Sequence, residues 1–351
     1  MSIDEGVDGV PATVQDSADE STARGRKGYR DAVRWGAEKL ELHRFSGLYI
    51  LGLFILIFAL WIPDTFLHVS TLRNIVTSQS ITGVLAVGLV CAMAAGAFDL
   101  SFAQAAGTGS ILAAILTTSF HMNVVLTVVI VIAYGAVVGL VNSLLVNWIG
   151  LSSIVTTLGT SSVLLAIDEK LTNENYIAGI PRSFVTAING TILGIPEVFV
   201  IMVAVVLLGW YLLVHTPQGR RMYATGHASE AARLAGVRTS RSILYGFLAS
   251  GLAAGVAGVM LLAVVGTGDP TAGPSYLLPV FAALFLGSTQ VHPGRFNVWG
   301  TVIGIFLLGV GVQGLQLAGY SEQWISDLFN GVALLLATGF AVRNGTLSLR
   351  R

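Results

Sequence analysis

The chain has 351 residues, of which 54% are hydrophobic and 11% are charged, and its formal net charge is zero. An average soluble domain carries about 25% charged residues, so a soluble fold could not cover this much apolar surface. The balanced charge argues against a nucleic-acid partner, and the single cysteine, Cys91, excludes a disulfide framework and a thiolate metal cluster.

The first 45 residues hold nine acidic and seven basic side chains. We expect no cleavable signal peptide here, because the segment lacks the apolar core that such a peptide needs. We therefore predict a solvated, largely disordered cytoplasmic tail over 1–45. A surface-lying amphipathic helix near the first apolar segment is the alternative.

Apolar runs of 17–25 residues then recur along the chain, and each is long enough to cross a hydrocarbon core of roughly 30 Å as a helix. We predict an all-α, polytopic transmembrane bundle over 46–345, followed by a short tail, 346–351. The span at 276–290 is short and follows a Gly/Pro-rich stretch, so a broken or re-entrant element is the alternative there. The ten predicted spans are 47–63, 79–97, 102–118, 124–146, 150–167, 198–215, 242–265, 276–290, 297–317 and 325–342.

Basic residues favour the cytoplasmic side of a membrane. They gather in the tail before the first span, in a polar segment at 216–241 that carries five arginines, and at Arg343, Arg350 and Arg351. Ten spans place all three clusters on one side, so we predict that both termini and the 216–241 segment are cytoplasmic. The outer loop at 168–197 then holds four acids, Asp168, Glu169, Glu174 and Glu197. Trp210 does not fit the expected position of an interfacial tryptophan.

Small residues repeat at four-residue spacing in two spans, as Gly135 with Gly139 and Gly251 with Gly255. This spacing lets helices approach closely in lipid. Ordinary helix packing is the expected role, and helix sliding during transport is the alternative.

We call residues 216–241 the arginine-rich segment. Each arginine at a bilayer centre would cost about 2.5–3.5 kcal/mol, so the segment must lie outside the hydrocarbon. Its sequence predicts a six-residue helix that Ser229 caps and that Gly236 ends in a left-handed conformation. Glu230 and Arg233 are three residues apart and can pair. The helix suits docking in a partner's groove, and an ordinary loop with an incidental helix is the alternative.

Catalytic and cofactor motifs are absent from the sequence. None of the three lysines follows a glycine, so the chain has no phosphate-binding P-loop. Neither HExxH, nor Gly-x-Ser-x-Gly, nor CxxC occurs. We predict no enzyme activity, no metal and no cofactor. An ion-coupled carrier needs ionisable groups inside the membrane, and here only Asp99 and Asp327 come near a span, each at a predicted end.

The arginine-rich segment resembles the cytoplasmic coupling loop of ABC-transporter permeases, those of ribose-type (simple-sugar) importers in particular. The resemblance rests on Gly219-Arg220, Tyr223-Ala224-x-Gly226 and Glu230-Ala231-Ala232-Arg233-Leu234-x-Gly236. Further segments follow in the family's order across about 75–340. They are Asp99-Leu100-Ser101, Asn142-x-Leu144-Leu145-Val146, Thr157-Leu158-Gly159-Thr160, Ala282-Ala283-x-x-x-x-Gly287 and Gly314-Leu315.

This resemblance implies a permease subunit of a bacterial inner-membrane ABC importer that translocates a monosaccharide or related polyol by alternating access. It implies two cytoplasmic ATP-binding subunits, an extracytoplasmic substrate-binding protein and a second permease subunit, identical or different. An ion- or proton-coupled carrier and a passive channel are the alternatives. The implied ATPase-coupling residues are Gly219, Arg220, Glu230, Ala231, Ala232, Arg233 and Gly236.

The sequence also departs from the family pattern. Before the Glu-Ala-Ala sequence, Gly226-His227-Ala228-Ser229 stands where the family has Gly-Gly-Asn-Pro, and Ser152-Ser153-Ile154 stands in place of Pro-Pro-Phe. Pro279 replaces an acidic residue, Gly287-Ser288 replaces a Gly-Gly pair, and Gln313 replaces an asparagine.

Sugars need hydroxyl and amide partners, which makes five polar residues candidates for the substrate pathway. They are Asn142, Thr156, Thr157, Thr160 and Gln313, and bonding between neighbouring helices is their alternative role.

Overall fold

The structure, a computed structural model, describes residues 46–320 and 322–343. The predicted tails at 1–45 and 346–351 lie outside the described residues. The fold of the described residues is all-α apart from one antiparallel pair of two-residue strands.

The first half of the described chain contains six helices. They are α1 (Ser46–Trp61), α2 (Pro63–Phe66), α3 (Val69–Ala94), α4 (Phe102–Thr118), α5 (Val124–Leu144), which a π-helical turn (Leu145–Ile149) continues, and α6 (Ser153–Thr172). A short helix and a hairpin follow, α7 (Arg182–Ile188), β1 (Thr191–Ile192) and β2 (Ile195–Pro196).

The second half begins with α8 (Glu197–His215), which directly precedes the arginine-rich segment. After it come α9 (Pro217–His227), α10 (Ser229–Leu234), α11 (Thr239–Val265), a 3-10 turn (Pro274–Tyr276), α12 (Leu277–Ser288), α13 (Val298–Leu317) and α14 (Gln323–Arg343).

Each of the ten predicted spans corresponds to a helix, and two boundaries differ in an informative way. Helix α3 begins ten residues before the predicted span, because polar residues such as Arg73 and Asn74 hide its first turns from a hydropathy pattern. Helix α6 continues to Thr172, so Asp168 and Glu169 belong to a helix and not to the predicted loop. Part of that loop, 182–196, also forms α7 and the hairpin.

Five helices in the described part are long and apolar enough to cross a membrane, namely α3, α5 with its π-helical turn, α8, α11 and α13. Helices α1, α4 and α12 with its 3-10 turn are apolar but shorter. Length and composition therefore support a multi-pass bundle.

Helix α11 lies at the centre of one group of helices, where it packs against α3, α4 and α5. Helices α12, α13 and α14 form a second group, and α3 contacts both α12 and α13. The side chains of Phe102, Phe247 and Leu261 are fully buried in the core. Helix α3 therefore connects the two groups.

The two glycine motifs face each other where α5 crosses α11. A Cβ atom on Gly251 would lie 2.9 Å from the backbone nitrogen of Gly139, and one on Gly255 would lie 2.8 Å from the carbonyl oxygen of Val131. Neither position has room for a side chain, so both motifs serve close helix packing, as the spacing predicted.

We expect Gly251→Leu to lower the stability of the purified protein by about 1–3 kcal/mol or more, because the added side chain would force the two backbones apart. Thermal unfolding in detergent measures this loss. Gly52→Leu is the matched control, since Gly52 lies on α1 with no atom within 4 Å of its Cβ position. Equal losses from both substitutions would show that the crossing is not a tight contact.

Candidate functional site

The arginine-rich segment begins with α9, which folds back on the end of α8. The Thr216 hydroxyl accepts a hydrogen bond from the Gly219 backbone nitrogen at 3.2 Å, and Pro217 occupies the first turn. Both features favour a helix start. A Cβ atom on Gly219 would lie 2.5 Å from the Leu212 carbonyl oxygen, so this glycine permits close contact between α9 and α8.

The next helix, α10, contains six residues as predicted, but its start differs by one position. Ala228 is the N-cap and makes no side-chain hydrogen bond, so the prediction that Ser229 caps the helix is wrong. The end is as expected, because Gly236 has a φ of +82°. Val237 donates to the Ala232 carbonyl at 2.9 Å and Gly236 to that of Arg233 at 3.0 Å. These two bonds form a Schellman motif.

Helix α10 presents one face to solvent and one to the helix bundle. Glu230 accepts a hydrogen bond from Arg233 at 2.8 Å, with side chains 77% and 67% exposed respectively. Such an exposed pair contributes little stability. Leu234 is 85% exposed, whereas Ala232 is buried. Ala232 therefore holds the helix in place, while Glu230, Arg233 and Leu234 are available to a partner.

Helix α9 contacts the end of α3 through a second glycine. A Cβ atom on Gly226 would lie 2.5 Å from the Ala94 carbonyl oxygen and 3.0 Å from the Gly96 nitrogen. On the same helix the Tyr223 hydroxyl donates to the Phe296 carbonyl at 2.7 Å. Burial raises the pKa of the Tyr223 phenol, and the positive charge of Arg295 opposes this effect. Helix α9 thus joins α10 to α3 and to the segment before α13.

A cavity of about 320 Å³ lies between α3, α12, α13 and α14. This volume is at the lower end of the range of small-molecule sites, roughly 300–1,000 Å³. Its polar lining consists of hydroxyl, amide and carboxyl side chains, Ser78, Gln79, Thr82, Ser275, Tyr276, Gln316, Gln323, Ser326, Asp327 and Asn330. Thr82 is about 18 Å from Ala94 along α3, given a rise of about 1.5 Å per residue. The cavity and the contact with α9 therefore lie at different positions along α3.

Two of the predicted pathway residues, Asn142 and Thr160, lie together and bond neighbouring helices. Thr160 donates to the Asn142 side-chain oxygen at 2.7 Å, and Asn142 donates to the Ser101 hydroxyl at 2.8 Å. Ser101 and Ser250 then donate to opposite oxygens of Asp99, each at 2.7 Å. This buried polar chain connects α6, α5, the α3–α4 connection and α11.

The side chains of the other predicted pathway residues are not part of that chain of hydrogen bonds. The Thr157 hydroxyl accepts a hydrogen bond from the Leu100 nitrogen at 3.0 Å. In the described part of the chain, the buried hydroxyl of Thr156 has no partner. Gln313 lies on α13 and does not line the 320 Å³ cavity. The five residues therefore do not form one site.

Sequence reasoning missed the cavity residues, although a signal was present. Gln79, Gln316 and Asn330 are amide side chains inside or beside apolar spans, where a polar group needs a partner or a ligand. Asp327 lies near the end of a predicted span, a position that does not by itself indicate a binding site.

The family described as "Branched-chain amino acid transport system / permease component" matches residues 71–338. The chain belongs to this ABC-importer permease family. The prediction of family from the coupling-loop resemblance is thereby confirmed. The permease is a multi-pass protein of the bacterial inner membrane, and its family works with an ATP-binding subunit and a substrate-binding protein.

Curated relatives of the permease include the autoinducer 2 import system permease protein LsrD from three Yersinia species. The protein from Yersinia enterocolitica is 30% identical over 74% of this chain and 80% of its own length. Those from Yersinia pseudotuberculosis and Yersinia pestis are 30% and 29% identical, with the same coverage. No solved structure matches the chain significantly.

Two carboxyl groups are buried in the permease bundle. Asp99 lies between α3 and α4, at a span end as expected, whereas Asp168 lies on α6 and not in the predicted outer loop. Asp99 is 2% exposed and Asp168 is completely buried. One Asp168 oxygen accepts hydrogen bonds from Gln104 at 2.7 Å and Thr108 at 2.8 Å. Asp99 accepts its bonds from Ser101 and Ser250. Both carboxyl groups therefore link neighbouring segments through hydrogen bonds.

We expect Asp168→Ala to lower the stability of the permease by about 1–3 kcal/mol, because the buried donors of Gln104 and Thr108 would lose their acceptor. Thermal unfolding in detergent is the measurement. Glu169→Ala is the matched control, since the next residue on α6 is exposed. A loss no larger than that of the control would contradict the structural role of Asp168.

Proposed function

We propose that this permease is the non-catalytic membrane subunit of a binding-protein-dependent ABC importer, and that it translocates a monosaccharide or related small polyol by ATP-driven alternating access. The observation that carries the proposal is the exposed helix α10. It is anchored on α9, which contacts the end of α3, and α3 lines the cavity. Movement imposed on α10 by an ATPase would therefore reach the cavity through two contacts.

In this proposal all ten predicted spans cross the membrane and both termini lie in the cytoplasm. Two ATP-binding subunits dock on the two α10 helices of a permease dimer. A substrate-binding protein delivers the solute at the opposite face. The distribution of basic residues and the family membership support this arrangement.

Charge in the cavity favours a neutral polar solute. Its lining includes one acidic residue, Asp327, and no lysine, arginine or histidine. An amino acid would bring a carboxylate into the cavity, and a desolvated carboxylate needs a cationic partner or several donors. Hydroxyl and amide side chains suit the alternating donors and acceptors of a polyol. We therefore prefer a polyol to the amino acids in the family's description.

A second candidate substrate is autoinducer 2. The Yersinia relatives that are about 30% identical to this chain carry that substrate in their names. Competition for uptake between autoinducer 2 and simple sugars would separate the two candidates.

An ion- or proton-coupled carrier is disfavoured by the family membership. The two buried carboxyl groups do not support a coupled carrier, since each accepts hydrogen bonds from its neighbours.

We expect Leu234→Asp to abolish copurification of the ATPase subunit and ATP-dependent uptake in vesicles, because Leu234 is a large apolar side chain that is 85% exposed and a charge there would have to be desolvated on docking. Glu230→Ala should weaken both readouts. Leu193→Asp is the matched control for copurification, since Leu193 is 98% exposed in the distant hairpin. Uptake driven by an ion gradient with no ATPase present would contradict the proposed function.

We expect Gln79→Leu and Asn330→Leu each to weaken the apparent affinity for the solute about tenfold, which corresponds to the loss of one buried hydrogen bond of about 1.4 kcal/mol. Concentration-dependent uptake by the complete transporter measures this change. Gln313→Leu provides the comparison, because Gln313 lies on α13 outside the cavity lining. If Gln313→Leu alone weakened uptake, the pathway predicted from sequence would replace the cavity.

A further inference from the structure

A second cavity, of about 520 Å³, lies beside α9 where α8 ends and α13 begins. Four of its lining residues are basic, Arg220, His227, His292 and Arg295, and none is acidic. The only ion pair in the described part of the chain joins Arg233 to Glu230, away from this cavity. Among the residues that the structure describes, no acidic side chain of the lining balances this positive charge, so the cavity suits an anion.

Arg295 is positioned before any ligand binds. Its guanidinium carbon lies 4.0 Å from the centre of the Tyr223 ring, a cation–π contact. The hydrogen bond from Tyr223 to the Phe296 carbonyl holds that ring in place. Because the side chain is already ordered, binding an anion would lose less conformational entropy. Arg220 lies about one turn before Tyr223 on α9 and completes the basic wall.

The other wall of the cavity is apolar and exposed. Trp210 and Trp299 make an edge-to-face contact with ring centres 6.1 Å apart. Trp299 is 41% exposed and Val214 is 48% exposed. These residues belong to the last turns of α8 and the first turn of α13, two helices long enough to cross the membrane. A tryptophan in the first turn of a membrane helix, such as Trp299, marks the membrane–water interface, and Trp210 packs against it.

We propose that this cavity binds the phosphate of an anionic phospholipid headgroup from the adjacent leaflet. The arginines would contact the phosphate, and the acyl chains would lie along Val214 and Trp299. Basic pockets between transmembrane helices bind such headgroups by the same combination of charge and apolar contact. A soluble phosphate would use only the basic wall. The site depends on the membrane location of the helix ends and not on the transported solute or on ATP.

The structure also divides the arginines of α9 between two surfaces. Arg220 lines this cavity, whereas Arg221 lines a separate cavity with Gly236 and Tyr245. Arg220, predicted as an ATPase-coupling residue, is therefore assigned to lipid binding. Arg221 supplies a control that removes the same charge from the neighbouring position.

Native mass spectrometry of the full chain in mild detergent tests the proposal, with dioleoyl phosphatidylglycerol and dioleoyl phosphatidylcholine as probes. We expect the wild type to bind phosphatidylglycerol more tightly than phosphatidylcholine. Arg220→Gln and Arg295→Gln should each weaken phosphatidylglycerol binding about fivefold, as expected for one arginine near a lipid surface. Arg221→Gln should leave it unchanged. Size-exclusion profiles establish that each variant is folded.

Two results would overturn the proposal. Equal loss of lipid binding in Arg221→Gln and Arg295→Gln would show that only the overall charge matters. Displacement of phosphatidylglycerol by millimolar sodium phosphate would identify a soluble phosphate as the occupant.

Discussion

The close approach of the α5 and α11 backbones is the interaction on which the rest of the bundle depends. Hydrocarbon is about as apolar as a leucine side chain, so helices in a membrane gain little by burying apolar residues against each other. Glycines such as Gly251 and Gly255 remove side chains from the crossing, and the backbones come into direct contact. The other faces of α11 then pack against α3 and α4, so the long α3 helix lies beside this central pair.

Hydrogen bonds hold α6 against its neighbours, whereas close packing at glycines holds α5. The buried residues of α6 are Thr156, Thr157, Leu164, Asp168 and Thr172, and only one of them is apolar. Its outward residues, including Leu158 and Val163, are largely exposed. A helix with a polar inner face is held by donors and acceptors that water cannot replace inside the membrane. The orientation of α6 therefore depends on hydrogen bonds to Asn142 and Gln104, neither of which lines the 320 Å³ cavity.

Helix α9 combines the proposed energy input and the proposed lipid site. Gly226 brings one end of the helix against the end of α3, and Gly219 brings the other against α8. One face, with Arg220 and Tyr223, lines the basic cavity. Because α10 follows directly, a lipid bound at that face would lie next to the helix on which we propose that the ATPase docks. Lipid composition and ATP-driven motion would then act on the same short helix.

Local features of the site followed from the sequence alone, because they depend on residues only a few positions apart. The length of the apolar runs located the helices, and the Glu230 to Gly236 spacing predicted the length and left-handed end of α10. Tertiary structure alone decided which side chains meet. Asp99 and Ser250 are 151 positions apart, and the cavity residues come from four segments between Ser78 and Asn330. Neither hydropathy nor helical periodicity records which distant helix a side chain faces. The burial of Asp168 and Ala232, and the separation of Gln313 from Asn142, therefore emerged only when the helices were packed together.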